Sequence, residues 1–366
     1  MRIVILGLTI TSSWGNGHAT TYRGLVRGLA RRGHQVLFLE RDKPWYAANR
    51  DMPAPPWGET RLYGGLDELT GRWSAAIAAA DLVVVGSYVP EGVAVGALAQ
   101  RLAGGTVAFY DIDTPVTLAA LAGGTCEYLT PELLRRFDLY LSFTGGPTLR
   151  HLEEALGAPM ARALYCSADP DVYRPDPDAV PGVDLGYLGT YSPDRQPALD
   201  ALLCQPARAW PEGRFVVAGP LYPADAAWPP NVARVEHLPP GEHRAFYAGQ
   251  RFTLNVTRAD MVRRGHSPSV RLFEAACCGV PIISDWWPGL DEFLTPGEEI
   301  LIAQGAEDVL RMLRSMPDGQ RRAIAEAARA RVLGAHTGDH RAAELEGYAA
   351  EAAAMAAAGA RRAARA

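Results

Sequence analysis

Short apolar runs alternating with amphipathic helical stretches constrain this chain more than any other feature. RIVILGL (2–8) is a strand-length apolar run, and GNGHATTYRGLVRGLARRGHQVLFLE then supplies a loop, a helix with apolar positions at helical spacing, a stop at Gly33 and a second strand. The rhythm continues through DLVVVGS (81–87), the helical PEGVAVGALAQRLAGG, TVAFYD (106–111), DLYLSF (138–143), a helix through PTLRHLEEALG, and ARALY (161–165). Short apolar strands separated by amphipathic helices predict a mostly parallel sheet covered on both faces.

The proline- and aspartate-rich segment CSADPDVYRPDPDAVPGVD (166–184) breaks this rhythm and reads as a linker. Strand-like runs then resume at 185–189, 214–219, 233–238, 252–256, 280–285 and 298–303, with a helix over 268–278. A chain of 366 residues exceeds one ordinary hydrophobic core. The expected organisation is an N-terminal Rossmann-like domain (1–165), the linker (166–184), a C-terminal Rossmann-like domain (185–335) and a low-complexity helix or tail (336–366) whose arginines face solvent. Two doubly wound α/β domains predict ligand binding at the carboxyl ends of their strands, in a central cleft.

Composition narrows the function. A net charge of −5 argues against a general nucleic-acid binder. No window reaches the roughly 20 apolar residues of a membrane-spanning helix, and the opening MRIVILGL lacks a long apolar region and a cleavage site, so it reads as a buried strand in a cytoplasmic protein. Cys126, Cys166, Cys204, Cys277 and Cys278 have no metal-ligand spacing and read as reduced packing thiols. Lys43 is the only lysine, so cationic work falls to arginine, whose fork suits diphosphate oxygens.

Several constellations carry chemistry. TSSWGNGHATTYRG (11–24) places Gly15 and Gly17 where backbone amides can approach an anion or a sugar at a helix start, although a bare glycine turn has the same sequence. Its spacing is not the dinucleotide fingerprint, because Ala19 and Thr20 follow His18. His18 reads as a general base, a sugar partner or a packing histidine. YDIDTPVTL (110–118) places Asp111 and Asp113 on one side if the chain stays extended, with Pro115 stopping the strand and Asp113 free to orient a hydroxyl or take its proton; an Asx turn is the alternative. In LGTYSPDRQPAL (188–199), Arg195 at a helix start either grips a diphosphate or faces water. In HSPSVRLFEAACCGVPIISDWWPGLDEF (266–293), Ser267 or Ser269 caps a helix on which Arg271 and Glu274 share a face, as a ligand site or as a surface ion pair. Trp14, Trp45, Tyr46 and Trp57 offer a stacking surface or core packing.

The block PSVRLFEAACCGVPIISDWWPGLDEFLTPGEEILIA resembles the C-terminal signature of the group 1 (family 4) glycosyltransferases, and more closely that of their CgeB-like spore-maturation branch. LGTYSPDR is similar to that family's diphosphate loop, CSADPDVYRP to its linker motif, and GNGHATTYRGLVRGLARRGHQVLFLE to its first loop, helix and strand. The resemblance implies a GT-B fold with a nucleotide-sugar donor on the C-terminal domain and an acceptor on the N-terminal one. In the family's E-x7-E motif the second glutamate, which holds the ribose, maps to Glu274, and the first maps to His266, a departure. Arg195 falls on the family's diphosphate lysine and Thr190 replaces its usual arginine, with Arg271 as a compensating charge. Gly189 and Ser267 fall within the donor motifs, and His237 and Leu238 fall where the nucleobase stacks.

The expectation is therefore a metal-independent, cofactor-free hexosyltransferase of retaining stereochemistry that uses a UDP-, GDP- or TDP-sugar and an unidentified acceptor hydroxyl. Asp113 and His18 are the acceptor-side candidates; an inverting reaction would require one of them as base. A GT-B nucleotide-sugar epimerase and a noncatalytic nucleotide- or sugar-binding protein are the alternatives.

Overall fold

The structure, a computed structural model, describes residues 1–15 and 17–363. The chain forms two compact units, Met1–Cys166 with the helix that begins at Gly338, and Ser167–Thr337.

The first unit is built on a seven-stranded parallel sheet of β1 (Arg2–Gly7), β2 (Gln35–Arg41), β3 (Glu59–Tyr63), β4 (Leu82–Gly86), β5 (Thr106–Asp111), β6 (Leu139–Ser142) and β7 (Ala161–Ala163), in the order β3-β2-β1-β4-β5-β6-β7. Its central strands are apolar on both faces, as a sheet covered by helices requires. Ile5 stands opposite Phe38 on one side and Val84 on the other. The chain builds β2 and β3 outward from β1 and then returns to lay β4 on the opposite side. That reversal opens a crevice at the carboxyl ends of β1 and β4, the usual ligand position in open parallel sheets.

Two elements of this unit differ from the sequence expectation. Strand β3 was not anticipated, because Glu59 and Arg61 alternate with less polar residues at the edge of the sheet. The C-terminal segment, expected as a low-complexity helix or tail set apart from the domains, is a helix, Gly338–Ala363, that packs on the first helix, His18–Arg31. Ala342, Leu345, Ala349 and Ala352 form a buried stripe against the core. Small residues make the approach possible, since a Cβ on Gly338 would lie 2.3 Å from the Gly24 carbonyl oxygen and one on Gly28 would lie 2.5 Å from that of Gly338. Arg31 and Arg32 bind Asp339 and Glu346 across the seam. The tail arginines fall on residues whose side chains lie outside the described ones.

The second unit repeats the plan with six parallel strands, β8 (Val183–Leu188), β9 (Phe215–Ala218), β10 (Val232–Val235), β11 (Gln250–Asn255), β12 (Ile282–Ser284) and β13 (Leu301–Ile302), ordered β10-β9-β8-β11-β12-β13. Its reversal lies between β8 and β11. The segment read as a linker is partly structured here: Val183 and Asp184 open β8, and Tyr173 is buried. No helix among the described residues is long and apolar enough to cross a membrane. None of the five cysteines forms a disulfide.

Candidate functional site

In the second unit, the strand ends at the reversal are tied together by one arginine. Arg271, on the helix Val270–Cys277, donates from Nε to the carbonyl oxygen of Leu188 at 2.5 Å and from Nη1 to Asn255 Oδ1 at 2.8 Å. Those acceptors are the last residues of β8 and β11. The guanidinium lies over the Tyr187 ring, 4.8 Å from its centre. Gly189 allows this approach, because a Cβ there would sit 2.8 Å from Arg271 Nη2 and 2.6 Å from the Tyr187 hydroxyl.

Arg195 caps the start of the short helix Gln196–Leu199 and donates from Nη2 to the carbonyl of Thr190 at 2.8 Å, while its Nε is buried without a hydrogen-bond partner among the described residues. Burial pulls its pKa below the ordinary arginine value, and the positive charges of Arg271 and Arg258 push the same way. Asp194, next in sequence, is directed to the backbone amide of Ala259 at 2.9 Å. Neither Arg195 nor Arg271 forms an ion pair among the described residues. Two largely buried cations without carboxylates are costly unless an anion completes them.

The surface Arg271–Glu274 ion pair is excluded, since the two residues are only 7% and 3% exposed and each has other partners. Glu274 Oε2 accepts from the Tyr247 hydroxyl at 3.3 Å and lies 3.7 Å from His243 Nδ1, which is itself 3.3 Å from the Tyr173 hydroxyl. His243 Nε2 is 3.2 Å from the carbonyl oxygen of Leu238. His243 thus ties the expected nucleobase segment to the expected ribose carboxylate. Sequence reasoning missed it, although His243 and Tyr247 lie four apart on the helix Pro240–Ala248 and so share a face.

The remaining donor candidates spread around this core. His237 is exposed and Leu238 half-buried. His266 has a left-handed backbone, φ 49°, and its Nδ1 lies 3.1 Å from Glu292 Oε1. Gly289 is required beside it, because a Cβ there would come within 2.4 Å of the His266 ring. Ser267 is buried, and the capping expectation is corrected: Ser269 occupies the N-cap position but its hydroxyl donates to Asn255 Oδ1 at 2.9 Å.

The first unit places its candidates at its own reversal. Gly15 has φ 68°, Gly17 precedes the helix, and Asn16 between them lies outside the described residues. His18 is the first helical residue, and burial drives its imidazole down to about 3, so it is neutral at ordinary pH. Gly15, Gly17, His18 and Asp113 belong to this unit, whereas Gly189, Thr190, Arg195, His237, Leu238, His266, Ser267, Arg271 and Glu274 belong to the other.

The two aspartates do not extend along one strand face as expected. Asp111 ends β5, and the chain turns at once so that Asp113 sits at the N-cap of the helix Thr114–Ala122; Pro115 starts that helix rather than merely stopping the strand. Asp111 is fully buried, accepts from Tyr140 at 2.5 Å and Thr117 at 2.7 Å, and is raised to about 6 by that burial, partly offset by those bonds. Asp113 Oδ2 accepts from the Tyr88 hydroxyl at 3.1 Å, and the Tyr88 ring centre is 5.5 Å from that of His18. Of the loop aromatics, Trp14 and Trp45 are 43% and 50% exposed, Tyr46 is buried, and Trp57 is half-buried with Arg27 over its ring.

A further carboxylate went unread in the sequence. Glu40, at the end of β2, accepts from the Ile10 and Thr11 amides at 2.7 and 3.0 Å and from the Thr11 hydroxyl at 2.6 Å. An acidic residue near this position holds a ribose in nicotinamide-binding folds. Here it is occupied by the loop after β1. No group of three or more His, Cys, Asp or Glu side chains among the described residues is arranged to hold a metal ion.

Residues 195–347 match a family model described as glycosyl transferase-like. No curated protein matches the sequence. Similar solved structures include the sucrose-phosphate synthase of Thermosynechococcus elongatus, with a TM-score of 0.67 and 15% identity over 94% of this chain and 98% of that one. Anabaena HepE in complex with UDP and glucose gives a TM-score of 0.68 and 14% identity over 96% of this chain and 100% of that one. AviGT4, a glycosyltransferase involved in avilamycin A biosynthesis, gives 0.62 and 15% over 97% and 98%. The likeness spans both units, and the fold is GT-B.

Proposed function

We propose that this protein transfers a glycosyl group from a nucleoside diphosphate sugar to an acceptor hydroxyl. The observation that carries the reading is the pair of arginines at the β8–β11 reversal, Arg271 buried and Arg195 partly buried, without carboxylate partners among the described residues. A diphosphate supplies the missing charge, with charge-assisted bonds from guanidinium forks. Glu274 holds the ribose hydroxyls, oriented by Tyr247 and His243, and the segment at His237 and Leu238 lies against the base. The match of residues 195–347 to a glycosyl transferase-like family supports the reading. So does the presence of UDP and glucose in a HepE structure of the same fold. We place the chain nearest the CgeB-like branch and take its donor as a hexosyl nucleotide.

The chemistry requires that the bond from the anomeric carbon to the diphosphate oxygen break as the acceptor oxygen bonds that carbon. Arg195 and Arg271 stabilise the leaving diphosphate, without a resident metal or cofactor. On the acceptor side, Asp113 orients the hydroxyl, while His18, held neutral and weakly basic, contributes a hydrogen bond rather than removing the proton. In the retaining course we propose, that proton passes to the leaving phosphate oxygen.

The test is calorimetric titration of the purified protein with UDP-, GDP- and TDP-sugars, alongside Arg195→Ala and Glu274→Ala. Saturable binding of one nucleotide class, weakened at least about 10-fold in both variants, is expected from loss of a charged hydrogen bond. Binding that survives both substitutions defeats the donor site. Release of a rearranged sugar from donor alone would replace transfer with epimerisation.

A further inference from the structure

The turn after β4 carries two non-glycine residues with left-handed backbones, Tyr88 at φ 61° and Glu91 at φ 58°. A bulky residue in that region is an outlier that persists only where its surroundings over-determine it, and such residues gather at functional sites. The surroundings here do so. Val89 is buried, Glu91 is ion-paired with Arg41 at 3.3 Å, and Gly92 lies so close to Tyr128 that a Cβ would meet the Tyr128 backbone at 2.8 Å.

The strained residue points its hydroxyl at the acceptor-side carboxylate. Tyr88 donates to Asp113 Oδ2 at 3.1 Å, and its ring centre lies 4.7 Å from that of Tyr128 and 5.5 Å from that of His18. Tyr128 in turn meets Thr117 at 2.8 Å, and Thr117 donates to Asp111 Oδ1 at 2.7 Å. Tyr88 thus joins the end of β4 to His18 after β1 and Asp113 after β5, the three loops at this unit's reversal.

We infer that Tyr88 is a positioning residue for glycosyl transfer, which holds the Asp113 carboxylate ionised and aimed at the acceptor hydroxyl. This rests on the acceptor assignment proposed above. A phenol that donates to a carboxylate favours its charged form. Among the described residues, the titratable groups facing Asp113 or its network include Asp111 at the end of β5, His18 on the first helix, Tyr88 itself, Tyr128 ahead of the helix Pro131–Leu134, and Tyr140 on β6. The Asp113 charge adds to the upward push that burial exerts on Asp111, so the Tyr88 bond opposes a repulsion between the two carboxylates that is built into the site.

The experiment uses the full chain and its Tyr88→Phe and Tyr88→Asn variants. Phenylalanine keeps the ring packing, and asparagine tolerates the left-handed backbone. The Asp113 carboxyl is titrated by carbon NMR of aspartate-labelled protein, its signal assigned by its loss in Asp113→Asn. Nucleoside diphosphate release from UDP-, GDP- and TDP-glucose, with water as acceptor, gives turnover. Both variants are expected to raise the Asp113 pKa by about one unit and to lower turnover about 10-fold, with donor affinity unchanged. An unmoved Asp113 titration overturns the inference, as does a shifted titration with unchanged turnover. A wild-type protein that turns over none of these donors defeats the transferase reading and the Tyr88 role with it, even if the titration moves.

Discussion

The two units share an architecture and treat charge at their strand ends in opposite ways. In the first, the arginines near the loops after β1, β2 and β4 are neutralised, Arg23 by Asp51 at 2.8 Å, Arg41 by Glu91 at 3.3 Å and Arg50 by Asp42 at 2.5 Å. Among the described residues, that reversal presents the carboxylates of Asp111 and Asp113, a neutral imidazole and phenols. In the second, Arg195 and Arg271 are left without carboxylates at the equivalent place. One fold thus presents two chemistries, and the side chains at the strand ends decide which. The proposed transfer relies on that difference, with a hydroxyl-bearing acceptor assigned to the first unit and a diphosphate to the second.

The comparison breaks most visibly if substitutions on the two sides produce the same defect. Asp113→Asn is expected to reduce turnover about 100-fold through misorientation of the acceptor, with donor affinity within error of wild type by calorimetry. Arg271→Met is expected to weaken donor binding about 30-fold, the scale of a lost charge-assisted hydrogen bond. Equal loss of donor binding in both variants would dissolve the division of labour.

The first unit also stores a carboxyl group in an unfavourable place. Asp111 sits near 6 in the folded protein, against an ordinary value of 3.8, chiefly because it is buried. Between those values the native state binds more protons than the unfolded state, so stability falls as pH rises. The favourable contribution is complete below pH 3.8 and is lost by the time pH passes 6, a difference of about 3 kcal/mol. Urea denaturation from pH 4 to 7 should show this slope in wild type and a shallower one in Asp111→Asn. Parallel curves would mean that Asp111 does not titrate in this range.

Much of the architecture was legible because buried parallel strands are short, nearly unbroken apolar runs, as in LVVVG of β4 and TVAFYD of β5. Strand β3 was not, since an edge strand with Glu59 and Arg61 lacks that signature. Alanine-rich composition concealed the C-terminal helix as a packed element, because the use of Ala342, Ala349 and Ala352 appears only when a partner with Gly24 and Gly28 is in place. Residue identities pointed to Arg195, Arg271, Glu274 and Asp113. Their environments did not follow: Arg23 and Asp51 are far apart in sequence, so which arginines are neutralised emerges only on folding. Tyr88 was invisible for a related reason, as nothing in SYVPEG marks a left-handed tyrosine.

The finest distinction between the units concerns stability without ligand. If Arg195 is kept for an anion, the empty protein bears the cost of burying its guanidinium, which has an unpartnered Nε and lies near Arg271 and Arg258. Arg195→Met keeps much of the apolar stem and removes the charge, at the loss of one bond to the Thr190 carbonyl. Relief from a desolvated, like-charged environment outweighs that bond, so the variant is expected to be about 1 kcal/mol more stable than wild type in the absence of nucleotide. The corresponding change in the first unit, Arg23→Met, strands Asp51 and frees the Ile10 carbonyl, so it should be destabilising. Thermal melts of both variants, with and without nucleotide sugar, separate the cases. Arg195→Met should melt higher than wild type when empty and lose the ligand-induced shift. If it melts lower when empty, Arg195 is a structural residue, and the contrast between paired and unpaired arginines no longer marks a donor site.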